Sequence, residues 1–466
     1  MKKGDIFEGK VLKTEFPNKG ILHIEDLKII VKNALEGQTI RFSITKKRKD
    51  KIEGRLLEVL ERSPLEYGSS PQPVLEGKNQ AAINCSHFGI CGGCTYQNLP
   101  YEAQLSLKKR QVEDLIKKSG FAFEIEDIFQ SPITHGYRNK MEFTFGDEEK
   151  GGALALGMHK KNSFYDIVSL RDCQIADPDF NTLLQAILHY FTENKTTYYH
   201  KMRKTGFLRH LVLRRSVKTG DILVNLVTTT QDKLDEKAFV SMLLSTSIDG
   251  KIVGILHTLN DSPADMVQSD ETRLLYGQDY FYEYLLNLRF KISPFSFFQT
   301  NTLGAEVLYQ KVWEYVGETK DKLIYDLYTG TGTIAQMMAP VAKKVIGVEI
   351  VEEAVEAARK NAVDNNLTNC EFIAGDVLKV VDSLTQKPDL IILDPPRDGI
   401  NPKALRKIIN FGVNEMVYVS CKPTSLMRDL VILAEAGYEV KRCCLVDLFP
   451  MTNHVETIVL IKRKDM

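Results

Sequence analysis

The segment 322–393 constrains the fold most strongly, because short apolar runs alternate there with helical patterns. The pattern predicts strands at 322–327, 344–350, 371–374 and 390–393, and helices at 334–342 and 352–365. Strands that alternate with helices are typical of a doubly wound α/β sheet. We therefore predict such a domain in this part of the chain, with ligands bound where its strands end.

A glycine turn follows the first of these strands, in the sequence Asp326-Leu327-Tyr328-Thr329-Gly330-Thr331-Gly332. Gly330 and Gly332 allow a tight turn and a close approach of the backbone to a ligand. The turn lacks the third glycine of the dinucleotide fingerprint and the Gly-Lys-Ser/Thr of a triphosphate site. A glycine turn alone is weak evidence, so the residues that follow the other strands must decide which ligand it binds.

Acidic residues follow the next three predicted strands. Glu349 ends the second strand, where a carboxylate can accept hydrogen bonds from ribose hydroxyls. Asp376 follows the third strand and is placed to meet an adenine edge, and Asp394-Pro395-Pro396 follows the fourth. Together with the glycine turn, these residues resemble the S-adenosylmethionine methyltransferase fold.

Length and composition limit the number of domains, the kind of partner and the state of the cysteines. The 466 residues suffice for roughly three domains. Lys+Arg and Asp+Glu both number 61, so net charge does not indicate a polyanionic partner. No stretch is typical of a signal peptide or of a membrane span. We therefore expect a cytoplasmic protein whose eight cysteines are thiols or metal ligands rather than disulfides.

Residues 1–60 contain five candidate strands, at 6–13, 20–24, 28–31, 39–45 and 54–60. Five strands in so short a segment predict a small β-barrel of the oligonucleotide-binding (OB) type. The basic run Lys46-Lys47-Arg48-Lys49 suits contact with phosphates, although a solvated hairpin tip is the slightly favoured interpretation of the run alone. Proline and glycine recur in residues 61–80, which predicts a linker.

Cys421 follows the apolar run Met416-Val417-Tyr418-Val419-Ser420, so it should lie at the edge of the sheet where ligands bind. A thiolate is a strong nucleophile, and the adjacent Lys422 could favour that form. Most cysteines are instead small buried hydrophobic residues. We interpret three other cysteines in that way, namely Cys370, Cys443 and Cys444.

Carbon 5 of a pyrimidine gives a methyltransferase a chemical reason to have a nucleophilic thiol. Nitrogen atoms of bases attack a methylsulfonium directly, whereas carbon 5 does not do so readily. Addition of a thiolate at carbon 6 makes carbon 5 nucleophilic, and a base must then remove the carbon 5 proton so that the thiolate can leave. Cys421 and Glu456 are the candidates, although a glutamate in an edge strand would ordinarily be an exposed carboxylate.

Five motifs resemble the RNA uracil-5-methyltransferases, and the resemblance covers nearly the whole chain. The motifs are Ser293-Pro294-Phe295-Ser296-Phe297-Phe298-Gln299-Thr300-Asn301, the loop 326–333, Asp394-Pro395-Pro396-Arg397-Asp398-Gly399, Ser420-Cys421-Lys422-Pro423, and Asp447-Leu448-Phe449-Pro450 with His454-Val455-Glu456. The resemblance implies that Cys421 is the nucleophile and that Glu456 accepts the proton. The residues implied to bind the methyl donor or to orient the uracil are Gln299, Tyr328, Glu349 and Asp394.

This chain differs from the family pattern at one residue, and the resemblance also includes the N-terminal residues. The family usually has asparagine where this chain has Lys422, which leaves the thiol in place but changes its local hydrogen bonding. Residues 1–60 resemble the TRAM domain of the family, which is an RNA-binding barrel.

Four further cysteines, Cys85, Cys91, Cys94 and Cys173, have the spacing C-x5-C-x2-C followed by a distant fourth thiol. Four thiolates suit either zinc or a [4Fe–4S] cluster, and zinc sites usually contain two C-x2-C pairs. The resemblance implies the cluster, because subfamilies of these methyltransferases have this quartet as its ligands. Since four protein ligands leave no iron open to substrate, we expect the cluster to be structural.

Basic residues cluster in segment 195–220, which has eight Lys/Arg and no acidic residue. Aromatic residues lie between them, at Tyr198, Tyr199, His200, Phe207 and His210. This combination suits phosphate contacts and stacking on unpaired bases, although part of it could be a solvated sheet face. Tyr137-Arg138-Asn139-Lys140 is a second basic segment. The target uracil must leave its stack to reach the thiol, so we expect a flipped or loop nucleotide.

The sequence therefore predicts three domains. Residues 1–60 form a TRAM RNA-binding β-barrel, and residues 61–295 form an α+β domain with the iron–sulfur cluster, of which about 97–127 could pack with the catalytic domain. Residues 296–466 form a Rossmann-like S-adenosylmethionine methyltransferase domain. We predict a monomer that methylates carbon 5 of a 23S rRNA uridine, with a tRNA uridine as the alternative and with no membrane partner.

Two rival hypotheses make different predictions. An amino-group methyltransferase that uses Asp394-Pro395-Pro396 would keep its activity without Cys421. An iron–sulfur RNA-binding module would bind RNA and transfer no methyl group.

Overall fold

The computed structural model describes residues 1–48, 51–67, 85–263 and 270–464. These residues form three large sheets and a two-stranded hairpin. Across the described ranges, no helix is both long enough and apolar enough to cross a membrane.

The N-terminal residues form a curled six-stranded sheet. Its strands are β1 (Ile6–Lys10), β2 (Lys13–Glu15), β3 (Lys19–Ile24), β4 (Leu27–Lys32), β5 (Thr39–Arg48) and β6 (Lys51–Glu61), in the spatial order β1-β5-β6-β4-β3-β2. Leu22, Ile29 and Phe42 are fully buried in its core. The predicted strand 6–13 is divided in two, because the chain turns at Val11, whose backbone N–H donates to the Gln38 carbonyl at 2.8 Å.

The predicted linker begins as packed structure. Ser63 is buried, and one carboxylate oxygen of Glu66 accepts hydrogen bonds from the Ser63 N–H at 2.9 Å and from Gln38 Nε2 at 2.7 Å. Residues 68–84, which include most of the predicted linker, lie outside the described residues. Lys49 of the basic run lies outside them as well. The described part of that run, 46–48, is exposed at the end of β5.

The central domain consists of a seven-stranded sheet and two helices, which all come from residues 140–277. After helix α1 (Tyr101–Lys118) and the short strand β7 (Ile128–Phe129), the elements are β8 (Lys140–Asp147), β9 (Leu154–His159), β10 (Ile167–Ser169), α2 (Pro178–Glu193), β11 (Leu208–Arg215), β12 (Asp221–Thr228), α3 (Glu236–Ser245), β13 (Lys251–Leu259) and β14 (Glu271–Gly277). The spatial order is β10-β9-β8-β11-β12-β13-β14. Only the β12–β13 pair of this described sheet is parallel, and α3 connects its two strands.

A hairpin and a helix connect the central sheet to the C-terminal domain. They are β15 (Phe281–Leu285), β16 (Leu288–Ile292) and α4 (Thr302–Val316). The loop between β16 and α4 is held by the central sheet, because Arg214 of β11 donates to the carbonyls of Ser293 at 2.7 Å and Ser296 at 2.6 Å. Arg214 is buried, so both carbonyls are fixed by a charge-assisted hydrogen bond away from water.

The C-terminal sheet is the predicted doubly wound α/β domain. Its elements are β17 (Leu323–Leu327), α5 (Thr333–Met338), a 3₁₀ turn (Ala339–Val341), β18 (Lys344–Glu349), α6 (Glu352–Asp364), β19 (Cys370–Ala374), α7 (Val377–Val380), β20 (Leu390–Leu393), α8 (Pro402–Asn410), β21 (Glu415–Ser420), α9 (Pro423–Glu435), β22 (Tyr438–Val446) and β23 (Glu456–Arg463). The spatial order is β19-β18-β17-β20-β21-β23-β22-β7. The first five strands are parallel, which confirms the predicted fold class.

Strand β23 lies between β21 and β22 and is antiparallel to both. Glu456 therefore begins an interior strand, and the ordinary interpretation of this residue as an exposed edge carboxylate is wrong. Only 5% of its surface is exposed.

Helix α1 and strand β7 also pack on this C-terminal domain. Strand β7 pairs with β22, and α1 packs against α9. Lys108 of α1 forms an ion pair with Asp447, with 2.6 Å between Nζ and the carboxylate, and both side chains are buried. The pair joins two segments that are 339 residues apart in the sequence.

We predict that Lys108→Met destabilises the protein by about 3–5 kcal/mol, because it leaves the Asp447 carboxylate buried without its cation. The measurement is the free energy of unfolding in urea. Lys344→Met is the matched control, since Lys344 pairs with Glu371 at 2.7 Å on the surface. Exposed pairs contribute only about 0–1 kcal/mol. Equal losses in the two variants would contradict the role of the buried pair.

Candidate active site

The glycine turn after β17 is organised by Asp326. One oxygen of its buried carboxylate accepts hydrogen bonds from the Thr329 hydroxyl and from the Ala335 N–H, at 3.0 Å for the latter. The other oxygen, Oδ1, is buried and has no hydrogen-bond partner among the described residues. Burial raises the pKa of Asp326 to about 6. An unpartnered buried carboxylate oxygen requires a donor or a cation, and a bound ligand can supply either.

Backbone conformation makes glycine necessary in this turn. Gly330 and Gly332 both have positive φ angles, of 56° and 75°. A Cβ atom on Gly332 would lie 2.6 Å from the Phe372 ring and 2.9 Å from Ala358. The turn therefore packs directly on strand β19 and helix α6.

Glu349 lies directly against the turn. Its Oε2 accepts a hydrogen bond from the Gly330 N–H at 3.1 Å, and its Oε1 accepts one from the Val351 N–H at 3.0 Å. Its charge adds to the effect of burial in raising the pKa of Asp326, so the two carboxylates share one environment. A ribose bound here would meet an acceptor already oriented by two backbone donors.

Asp376 and Tyr328 lie on the other side of the turn. Asp376 Oδ1 accepts a hydrogen bond from the Leu378 N–H at 2.9 Å and begins helix α7. Burial raises the pKa of Tyr328, and the charge of Asp376 raises it further. Tyr328 itself has a positive φ of 69°, which turns its side chain out of the strand direction.

Asp394 follows β20, and its charge acts on Tyr309 of α4. Burial raises the pKa of Asp394 to about 7, and the charge of Asp326 contributes to this rise. Burial raises the pKa of the Tyr309 hydroxyl, the charge of Asp394 adds to this, and a hydrogen bond with the Gln299 side chain opposes it. Nothing in the sequence singles out Tyr309, because a tyrosine at helical spacing is usually a core residue.

Cys421 and Glu456 come together at the ends of two adjacent strands. Burial raises the pKa of the Cys421 thiol to about 11, with further contributions from the charges of Glu456 and Asp394. Burial raises the pKa of Glu456 to about 8, and Asp394 contributes again. The thiol is thus close enough to two carboxyl groups for their charges to act on it.

Arg397 is a cation that acts on this set. The charge of Arg397 lowers the pKa of both Cys421 and Glu456, against the larger effect of burial. The Lys422 ammonium lies 3.8 Å from the exposed carboxylate of Asp398. The structure thus offers Arg397, which sequence adjacency does not indicate, as a cation that favours the thiolate, and it does not test the expectation for Lys422.

The loop 447–455, which leads into Glu456, is held by the segment that contains the cysteines. The backbone N–H groups of Thr95 and Tyr96 both donate to the Met451 carbonyl, at 2.8 and 3.0 Å. Gln104 of α1 accepts a hydrogen bond from the Met451 N–H at 2.8 Å. The Tyr137 hydroxyl donates to the Pro450 carbonyl at 2.8 Å. These contacts fix the backbone immediately before Glu456.

The four predicted ligand cysteines line one cavity of about 390 Å³. Burial raises the pKa of the Cys94 thiol, and the charges of the other three cysteines raise it further, so the four sulfur atoms are mutually close. Cys94 and Cys173 also pack with Tyr137 and Met451. No group of three His, Cys, Asp or Glu side chains in the described part of the chain is arranged to hold a single metal ion.

Part of the basic aromatic segment 195–220 is buried. Phe207 and His210 are 2% and 5% exposed, and Tyr199 packs under Arg209, whose guanidinium carbon lies 4.6 Å from the ring centroid. The run enters the interior strand β11, which explains the burial. These three aromatic side chains are therefore not available to stack on RNA bases.

A parallel sheet with a glycine turn after one strand and acidic residues after its neighbours defines an S-adenosylmethionine-dependent methyltransferase domain. Comparisons with known proteins give the same class. Residues 100–464 match the family described as tRNA (Uracil-5-)-methyltransferase. The chain therefore belongs to the tRNA (uracil-5-)-methyltransferase family, whose members modify RNA.

Individual relatives cover the whole chain. An uncharacterized RNA methyltransferase of Clostridium tetani is 48% identical over 466 residues, which cover 100% of this chain and 99% of that protein. Another, of Caldanaerobacter subterraneus subsp. tengcongensis, is 45% identical and covers 99% and 100% of the two chains. The crystal structure of Pyrococcus abyssi tRNA (uracil-54, C5)-methyltransferase with S-adenosyl-L-homocysteine has a TM-score of 0.77, with 26% identity and coverage of 98% and 100%.

We predict that Arg397→Gln slows alkylation of Cys421 by iodoacetamide at pH 8 by about two- to tenfold, because a higher thiol pKa leaves less thiolate. Mass spectrometry of the peptide that contains Cys421 gives the rate. Lys422→Gln is the matched control and should react at nearly the wild-type rate. A slower reaction in Lys422→Gln alone would show that the effect belongs to Lys422 instead.

Proposed function

We propose that this protein methylates carbon 5 of a uridine in RNA through a covalent adduct with Cys421. The observation that carries the proposal is the meeting of a thiol, Cys421, and a buried carboxyl group, Glu456, at the strand ends beside the glycine turn. Methylation of a ring nitrogen or an amino group would need no such pair. Carbon 5 of uracil needs both a nucleophile and a base.

The chain's own residues account for each bond change. The Cys421 thiolate, formed when the thiol loses its proton to solvent, makes a bond to carbon 6 of the uracil, and the electron pair of the 5,6 double bond moves toward the carbonyl at position 4. Bound S-adenosylmethionine would supply an electrophilic methyl group to carbon 5, with its methyl–sulfur bond broken and S-adenosylhomocysteine left behind. Glu456 then takes the proton from carbon 5, and the bond between the sulfur and carbon 6 breaks as the double bond returns. A base with a pKa near 8 is well matched to this step near neutral pH.

The residues around the glycine turn suit the methyl donor. The unpartnered Asp326 Oδ1 and the raised pKa values of Asp326 and Asp394 mark a site that lacks positive charge, and the donor is cationic at its sulfur. Glu349 would bind the ribose and Asp376 the adenine, and Gly330 and Gly332 allow close approach. Gln299 and Tyr328 would line the site on either side.

The RNA substrate has two candidates. The cysteine quartet resembles the pattern of the enzymes that act on 23S rRNA, which makes a 23S rRNA uridine our first proposal. The family description and the Pyrococcus abyssi structure favour a tRNA uridine as the second. In either case we expect the enzyme to work in the cytoplasm, where both RNAs are found, with the N-terminal sheet acting as the TRAM-like RNA contact.

The test uses unmodified 23S rRNA and tRNA transcripts that carry uridine or 5-fluorouridine. We predict that the wild-type protein transfers a methyl group to one of them and forms a covalent complex with its 5-fluorouridine form, since fluorine cannot leave as a proton does. Cys421→Ala should lose at least about 10⁴-fold in rate, as expected for loss of a covalent nucleophile, and should form no complex. Cys370→Ala is the matched control and should keep both properties.

Two results would contradict this proposal. Methyl transfer by Cys421→Ala at the wild-type rate would favour the amino-group methyltransferase. Bound S-adenosylmethionine and bound RNA with no transfer to any uridine would favour a non-enzymatic RNA-binding module.

We further propose that Cys85, Cys91, Cys94 and Cys173 hold a [4Fe–4S] cluster. The four thiols line one cavity of about 390 Å³ together with other side chains, which leaves room for a multi-atom cluster. Burial disfavours the thiolate form of Cys94, and bound iron would supply the positive charge that stabilises thiolate ligands. The cluster would serve as a cross-link between the segments around residues 94 and 173.

Elemental analysis of anaerobically purified protein tests the cluster. We predict iron and acid-labile sulfide in equal amounts, with an absorption band near 400 nm typical of such clusters. Cys173→Ser should lose both, whereas Cys444→Ser, at a buried cysteine outside the cavity, should keep them. Zinc without iron in the wild-type protein would contradict the proposal.

A further inference from the structure

Three large apolar side chains are exposed together on two adjoining loops of the central domain. Phe164 is 84% exposed, Tyr165 61% and Met202 72%. The Tyr165 hydroxyl lies 3.9 Å from the Met202 sulfur, and Lys201 Nζ lies 3.4 Å from the Phe164 carbonyl oxygen. The two loops are therefore in contact, and we call the surface that carries the three exposed side chains the Phe164–Met202 platform. Single exposed apolar residues are ordinary, but an exposed group of this kind indicates a binding surface.

Both loops are preformed turns. Ser163 Oγ accepts hydrogen bonds from the N–H groups of Tyr165 and Asp166, at 3.2 and 3.1 Å. The second loop is closed by hydrogen bonds from the His200 N–H to the Thr205 carbonyl at 2.8 Å and from the Lys204 N–H to the His200 carbonyl at 2.7 Å. A ligand that binds to the platform therefore meets side chains on ordered backbone, and its binding does not require the loops to fold.

The rim of the platform is strongly basic. Segments 160–166 and 200–205 contain five Lys/Arg and one acidic residue, Asp166. Lys160, Arg203 and Lys204 make no ion pair with any acidic side chain in the described ranges. Uncompensated cations around exposed aromatic rings are the arrangement that binds single-stranded nucleic acid, with phosphates on the cations and bases on the rings.

The platform is connected to the active site through the cysteine segment. The Lys161 N–H donates to the Ile90 carbonyl at 2.7 Å, and Cys91 pairs with Lys160 as an isolated β-bridge. The same segment continues to Thr95 and Tyr96, which hold the Met451 carbonyl in the loop that leads into Glu456. One continuous run of backbone thus contacts the platform at one end and the catalytic loop at the other.

We propose that the Phe164–Met202 platform binds an unpaired stretch of the RNA substrate, with bases stacked on Phe164 and Tyr165 and phosphates on the surrounding lysine and arginine side chains. This inference rests on the proposed function, because it assigns a second contact for the same RNA outside the catalytic pocket. It also replaces the buried aromatic residues of segment 195–220 as the stacking surface. Unpaired nucleotides are required, since bases within a duplex cannot stack on protein rings.

The test is the affinity for a fluorescein-labelled 20-nucleotide oligouridylate, measured by anisotropy at fixed salt. The double variant Phe164→Ala/Tyr165→Ala should bind about tenfold or more weakly, since each base stacked on an aromatic ring contributes substantially to affinity. Phe164→Trp/Tyr165→Trp should keep the affinity because it keeps the rings. Trp313→Ala is the matched control, since Trp313 is 48% exposed on α4, away from these loops, and should have no effect.

Salt dependence tests the basic rim separately. Lys204→Gln should reduce the slope of log affinity against log salt by about 0.7, the value for one phosphate contact on a single strand. Thermal unfolding and binding of S-adenosylhomocysteine by each variant check that the fold and the donor site are intact. Wild-type affinity in the Phe164→Ala/Tyr165→Ala variant with both properties intact would overturn the inference.

The same variants distinguish RNA binding from membrane binding, and an error in this inference from an error in the proposed function. If that double variant loses affinity for phosphatidylglycerol vesicles but keeps its affinity for RNA, the platform is a membrane contact and the inference is wrong. If the wild-type protein binds the oligouridylate through the platform but methylates no uridine, the proposed function fails while the inference stands. If it methylates uridine and the double variant binds RNA normally, the inference alone fails.

Discussion

The burial of three carboxyl groups, those of Asp326, Asp394 and Glu456, is the constraint around which the catalytic domain is arranged. Burial raises the pKa of each, to about 6, 7 and 8 in that order. Because these folded-state values exceed the unfolded ones, the site costs stability as pH rises through them. Full ionisation would place three negative charges in a poorly solvated space, so a cationic methyl donor and the guanidinium of Arg397 are the natural counter-charges.

A second constraint positions Glu456 among these three carboxyl groups. The loop before it is anchored by the buried pair of Lys108 with Asp447 and by backbone hydrogen bonds from Thr95 and Tyr96 to Met451. Residues from the cysteine segment and from α1 therefore complete a site whose reactive groups all come from the last third of the chain. Through this arrangement, the cluster proposed for the four cysteines would fix the segment that holds the loop.

The local sequence pattern predicts the α/β sheet and the residues that directly follow its strands. The glycine turn and Cys421 could be placed at strand ends because each directly follows an apolar run, and the doubly wound sheet followed from the alternation of strands with helices. Lys108 could not be recognised, because Lys108-Lys109-Arg110 looks like a solvated helix face and its partner is 339 residues away. The insertion of β23 between β21 and β22, which buries Glu456, is a long-range arrangement of the same kind. The exposure of aromatic rings could not be predicted either. Phe207 is buried and Phe164 is exposed, and a basic aromatic pattern does not reveal which rings an interior strand will bury.

The central claim is that Glu456 removes the carbon 5 proton from an adduct formed by Cys421. The most direct measurement is the intact mass of the Glu456→Gln protein after incubation with S-adenosylmethionine and the unmodified RNA substrate. Glu439→Gln is the matched control, since the Glu439 side chain in strand β22 is accessible to solvent. We predict that Glu456→Gln accumulates a covalent complex of protein and methylated RNA, while Glu439→Gln releases product normally. Release of methylated RNA by Glu456→Gln at the wild-type rate, with no complex, would contradict that claim.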